Sequence, residues 1–183
     1  MKSIDIRLKS EEVSILHSMI GKELTACLHD EFQYTQSSSQ VVEIIVGDKI
    51  YFIYSFTEAL DYFGTPEDVA VWNVSDEKLP IIDKKAFVRT PVNETINGIT
   101  LIQENQRVFK NDVQVYDVWL TRGIVFDIGE RQIAFEKDIW FSEEIIVHRG
   151  YDLADHFSSE NRFGSDWDDE VRTECCRVKQ PIA

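Results

Sequence analysis

Residues 41–54 read VVEIIVGDKIYFIY. Two runs rich in β-branched and aromatic residues flank Gly47-Asp48. Such side chains suit a pleated, half-buried surface, and a short glycine-containing link between them predicts an antiparallel hairpin. The rest of the chain is read outward from this hairpin.

Upstream, Ile4, Ile6 and Leu8 alternate with polar residues and predict a short strand. Ser10 followed by Glu11 and Glu12 predicts a capped helix start. Val13, Leu16, Ile20, Leu24 and Leu28 continue at helical spacing, with Gly21 in the middle. Two readings stand: one helix through Leu28, or a helix ending near Gly21 and a strand over 24–28. Residues 33–40 read as a polar loop. Downstream, Thr57 predicts the cap of a short helix over 58–63, ending at Gly64, and Val69 to Val74 read as a strand.

Residues 75–98 hold Pro80 and Pro91 and form the least regular part, where a seam between two halves would fall. Within them, 86–88 reads as a short edge strand. From Ile99 the chain reads as a meander: a strand at 99–102, a polar turn, then 107–109. Three further strands follow, over 113–120, 124–128 and 133–135, and then Ile145 to Val147. The expected fold class is therefore α+β. A mainly antiparallel sheet of hairpins and meander is covered by an N-terminal helix, in one domain spanning 1–183. Gly47-Asp48 and Gly129-Glu130 sit in similar strand–turn–strand settings. A weak internal duplication would explain that, and so would turn chemistry common to all hairpins.

The chain has 33 acidic and 19 basic residues in 183, for a net charge of −14. That field repels the phosphate backbone of nucleic acids and anionic membrane surfaces, and it attracts basic proteins. No apolar run approaches the length of a bilayer span, and no signal peptide is visible. The three cysteines, Cys27 and the adjacent Cys175-Cys176, form no disulfide framework. The expected setting is a reducing cytoplasm. Gly-rich phosphate loops and the Gly-x-Ser-x-Gly elbow are missing, so no cofactor is expected. Cys27 lies two residues from His29 and next-but-two to Asp30. On a strand the first two would sit ~7 Å apart, too far for direct proton transfer.

Two clusters carry chemistry. Glu143, Glu144, His148, Asp152, Asp155 and His156 crowd one region. On a helix Glu144, His148 and Asp152 would share a face and could hold a divalent metal. Ile145-Ile146-Val147 prefers a strand, on which Glu144 and His148 would be ~13 Å apart. The second cluster is an acidic stretch: Asp152, Asp155, Asp166, Trp167, Asp168, Asp169 and Glu170. Its carboxylates around an aromatic anchor fit a basic partner surface. Leu153, Phe157, Phe163 and Trp167 recur through it, so part of 152–170 is expected to dock on the body. Residues 171–183 turn mildly basic and are expected to be frayed or exposed.

These features favour a non-enzymatic acidic binding domain. An inhibitor or immunity protein that neutralises a basic, nuclease-like toxin is its concrete form. The alternative is a small metal-dependent hydrolase using Glu144, His148 and Asp152. The oligomeric state is open.

Overall fold

The computed structural model describes residues 1–30, 37–62, 64–79, 87–167 and 170–182, without the side chains of 37–39, 62 and 166. It is a mixed α+β fold with a predominantly antiparallel sheet and an N-terminal helix. The elements are β1 (Lys2–Ile6), α1 (Ser10–His17), β2 (Glu23–Asp30), β3 (Ser37–Ser39), β4 (Val41–Val46), β5 (Lys49–Tyr62), β6 (Thr65–Ser75), β7 (Phe87–Lys110), β8 (Val113–Ile128), β9 (Arg131–Lys137), β10 (Glu144–Gly150) and β11 (Val171–Pro181). Between β10 and β11 lie two 3-10 turns, Leu153–His156 and Glu160–Asp166.

The strand order is β3-β10-β9-β8-β7-β2-β4-β5-β6, with β1 parallel on β8 and β11 antiparallel on β7. The hairpin of β4 and β5 pairs Val46 with Lys49 through Val41 with Tyr54. β7 is the hinge of the architecture. Its first half pairs with β2, and its second half lies between β8 and β11. Register shifts near Gly98, Gln103 and Phe109 mark bulges, which bend a strand and raise its twist. One buried cluster joins Ile44, Ile53 and Trp72 of the β4–β6 layer to Phe126, Phe135, Ile145 and Val147 of the β8–β10 layer. The two layers therefore pack face to face. At the β7–β8 turn both Asn111 and Asp112 have positive φ, as a two-residue hairpin link requires.

One open reading is decided and six local expectations need correction. The helix ends at His17, and β2 starts at Glu23 after the left-handed Gly21, so the shorter-helix reading holds. Its N-cap is Lys9 rather than Ser10, with the Glu12 carboxylate accepting from the Lys9 N–H at 2.7 Å. Leu16 and Met19 are fully buried in the core.

No helix forms over 58–62. That stretch extends β5, with Glu58 opposite Val69 and Leu60 opposite Glu67. A ladder to β6 outweighs local helix preference. Residue 63, the end of the expected helix, lies outside the described residues.

Residues 87–98 are regular strand in β7, and the expected strand at 86–88 is its start, residue 86 lying outside the described residues. The polar run Gln103–Gln106 is not a turn but the buried middle of β7. Similarly, 113–128 is one strand.

Finally, 171–181 is not frayed: it pairs with β7 without interruption from Val171–Lys110 to Pro181–Thr100. For Gln103–Gln106 and for 171–181, partners distant in sequence supply the hydrogen bonds, and local pattern cannot show them.

Candidate functional site

The second half of β7 and strands β8 to β11 present a row of charge across one sheet face. Arg177 Nε donates to Glu104 Oε2 at 2.7 Å. Arg122 Nε lies 3.9 Å from the same oxygen and 3.2 Å from Glu136 Oε1, to which Nη2 also donates at 2.9 Å. His148 Nε2 meets Glu136 Oε2 at 2.8 Å. Signs therefore alternate along Arg177, Glu104, Arg122, Glu136 and His148, one residue from each of five strands. Glu104, Arg122 and Glu136 are buried. Strand register is what lines them up, because adjacent strands lie only ~4.8 Å apart.

The segment 151–167 straps over this row. Leu153 and Phe157 are buried against Ile102, Val125 and Ala134. Phe157 stacks on His148, with ring centroids 5.4 Å apart. It fits because residue 123 is glycine: a Cβ there would stand 2.3 Å from Phe157 Cε2. Three polar ties complete the strap. Leu153 N–H donates to Gln132 Oε1 and Ser158 N–H to Glu136 Oε1, and Arg162 pairs with Asp138.

Burial pulls the Glu136 carboxyl upward, but His148, Arg122 and the Ser158 N–H together hold it below the usual carboxylate range. A carboxylate this well satisfied is a weak proton acceptor and a poor proton donor at neutral pH. The space between Glu104, Arg122, Glu160 and Arg177 measures about 30 Å³, while an open hollow of about 520 Å³ lies on the outer side of Arg177, along Phe157 and Lys179. A couple of waters fit in the first, and a substrate does not. The row reads as a clamp for the strap.

Glu144 is exposed at the start of β10, and His148 on the same strand is 20% exposed and turned to Glu136. Asp152 is exposed and left-handed just beyond. Among the described residues, no group of three His, Cys, Asp or Glu is arranged to hold a metal. Asp155 is exposed and pairs with Lys179. Asp166 ends the second 3-10 turn. Half-buried Trp167 makes an edge contact with Phe163, at 5.9 Å between centroids. Glu170 is exposed, and Asp168 and Asp169 lie outside the described residues. Glu143 bonds Gln40 and the Thr57 N–H, and His156 is exposed. Cys27 is buried in β2, which pushes its thiol up to about 12, the opposite of an activated nucleophile.

Glu136 and Arg122, the centre of the row, were not singled out by sequence reasoning. The signal available was a pair of charged residues inside two apolar strands, at 122 and 136.

A different surface is mostly acidic, although Asp76 lies 4.0 Å from Lys49. Residues 50–77 hold Glu58, Asp61, Glu67, Asp68, Asp76 and Glu77 and no Lys or Arg. They run along the β5–β6 hairpin, in whose outer part exposed residues alternate with half-buried Glu58 and Leu60 on β5, Leu60 packing against Val69, Val118 and Leu120. Thr57, Ala59, Asp61, Thr65, Pro66, Glu67 and Asp68 are all exposed. Asp61 pairs with Lys2. Comparisons with protein-family models, with curated proteins and with solved structures return no match.

Proposed function

We propose that this chain is a non-enzymatic acidic protein-binding domain, an inhibitor or immunity protein that neutralises a basic, nuclease-like toxin. The observation that carries the reading is where the charge sits. Among the described residues, burial removes four carboxylates and two cations, so nearly all of the −14 stays on the exterior. The β5–β6 hairpin concentrates part of it on an exposed ribbon without a compensating cation in its own sequence, Lys2 of β1 answering Asp61. The Asp152–Glu170 stretch adds a second acidic surface, with Trp167 as its aromatic. Such fields raise encounter rates with cationic proteins and set register on them. The runner-up, a metal-dependent hydrolase at Glu144, His148 and Asp152, has His148 committed to Glu136.

Calorimetric titration of cationic nuclease domains into the chain tests the proposal. Binding at low salt that weakens as salt is raised, together with loss of nuclease activity, supports it. Absence of binding to any such domain at low salt argues against it. Stoichiometric heat on titrating Zn²⁺ or Mn²⁺ would favour the hydrolase instead.

A further inference from the structure

The fold closes most of its long strand edges with its own groups. On β6, the Ala70 N–H donates to Trp140 O and the Val74 N–H to Glu12 Oε1. On β5, beyond its pairing with β4, the Ser55 N–H goes to Gln40 O and the Thr57 N–H to Glu143 Oε1. β3 covers Glu144 to Ile146 of β10. β11 is open along its whole length. It is eleven residues long and, among the described residues, pairs with β7 alone.

The parity of that pairing can be worked out. Ile182 N–H donates to Ile99 O at 2.8 Å, and Pro181 opposite Thr100 has no N–H to give. In an antiparallel ladder, residues that exchange both bonds alternate with residues that exchange none. The register with β7 is unbroken, so even-numbered residues of β11 bond to β7. Val171, Thr173, Cys175, Arg177 and Lys179 point both N–H and C=O outward. Among the described residues no strand pairs with them. Pro181 falls on the outward set, where a proline costs the sheet nothing.

The charges of this edge are already spent. Arg177 serves Glu104, Lys179 serves Asp155, and Arg172 pairs with Glu174 while lying over the Phe109 ring. Charge therefore selects neither a basic nor an acidic strand as neighbour. What the edge does match is itself. Placed antiparallel about a two-fold axis through Cys175, Val171 faces Lys179 of the second copy, Thr173 faces Arg177, and Cys175 faces Cys175. Every outward N–H and C=O is then satisfied at once. The intervening pairs set Arg172 against Val178, which is 50% exposed, and Glu174 against Cys176. No like charges stand opposite one another, the arrangement that would disfavour a strand pair.

We infer that the free edge of β11 binds a second copy of this chain, joining two sheets into one continuous sheet across an isologous dimer. This goes beyond the toxin-binding reading and stands whether or not that reading survives.

Sedimentation over a wide concentration range, with residue-resolved hydrogen exchange on the full chain, tests it. The chain should pass from monomer to dimer. The amides of Thr173, Cys175 and Arg177 should exchange fast in the monomer and slow by at least about tenfold in the dimer. Those of Glu174, Cys176 and Val178 should stay protected throughout. Cys175→Pro, which leaves the bonds to β7 intact, should shift the chain to monomer with an unchanged circular dichroism spectrum. A monomer at every concentration would overturn the inference. So would a dimer in which the odd-numbered amides still exchange fast. The exchange pattern of the unsubstituted chain decides the matter even if the proline variant does not fold.

Discussion

Carboxylates do opposite work in two regions of this molecule. In the row across β7 to β11, Glu104 and Glu136 are buried and answered by Arg177, Arg122, His148 and a backbone N–H. On the β5–β6 ribbon, Glu67 and Asp68 are exposed and Glu58 is half-buried, in a stretch free of Lys and Arg. The chemistry of the side chain is the same, and the difference is solvent. Inside, a carboxylate must be paired or it costs several kcal/mol. Outside, water satisfies it, and its charge remains available to a partner. The row holds the strap in place, whereas the ribbon projects the field.

The largest break in that contrast comes from Glu136→Ala. It leaves Arg122 buried with Glu104 3.9 Å away as its remaining carboxylate, and it releases His148 and the Ser158 N–H. A loss of about 3–5 kcal/mol is expected, measured by urea unfolding. The pH dependence follows from the depressed folded-state value. Glu136 contributes stability that is fully present above its unfolded pKa, near the ordinary glutamate value of 4.5, and is lost as pH falls through its lower folded value. Unfolding midpoints between pH 6 and pH 3 should fall less steeply in Glu136→Gln than in the parent chain.

Lys137 offers the reverse case. Its ammonium donates to Ala70 O in the interior, and burial, with Arg122 nearby, lowers its pKa to about 7. The unfolded chain holds that proton up to ~10.4. Between those values the unfolded state binds more protons, so stability rises with pH and the penalty is complete below about 7. Lys137→Met should stabilise the fold at neutral pH by on the order of a few kcal/mol. Its advantage should shrink as pH approaches 10, as followed by denaturation at three pH values. Gly123→Ala comes next. The added methyl collides with Phe157, whose ring must leave its seat on His148. About 1–3 kcal/mol is expected, with faster proteolysis between residues 151 and 167 as the specific sign.

The β4–β5, β7–β8 and β8–β9 hairpins were legible because their signal is local: apolar runs broken by Gly47, by Asn111-Asp112 and by Gly129. The row was not, because its signal is a register. His148 stood out in the sequence, but the spacing pointed to Glu144 and Asp152. The residue it bonds, Glu136, is twelve positions upstream on the neighbouring strand. Gln103 to Gln106 look like a loop until Thr121, Asp117 and Gln180 arrive to bond them. β11 hid for the same reason. Its polar side chains carry no period, and the backbone of β7 makes it a strand.

The smallest expected change in stability is also the sharpest separation of the two kinds of carboxylate. Glu67→Gln with Asp68→Asn removes two exposed charges from the ribbon and touches nothing buried. Surface substitutions of this kind alter stability by about 0.5 kcal/mol or less, so urea midpoints should be unmoved. If the ribbon is what a cationic protein meets, the same pair should slow association at low salt. The gap to the parent chain should then close as salt is added, because screening removes what the substitution removed. Were the association rate instead unchanged, while substitution of Asp152 and Glu170 slowed it, the contact would belong to the strap and the acidic stretch beyond it. The comparison would then hold between two faces of one segment, with Phe157 and Leu153 turned in and the carboxylates turned out.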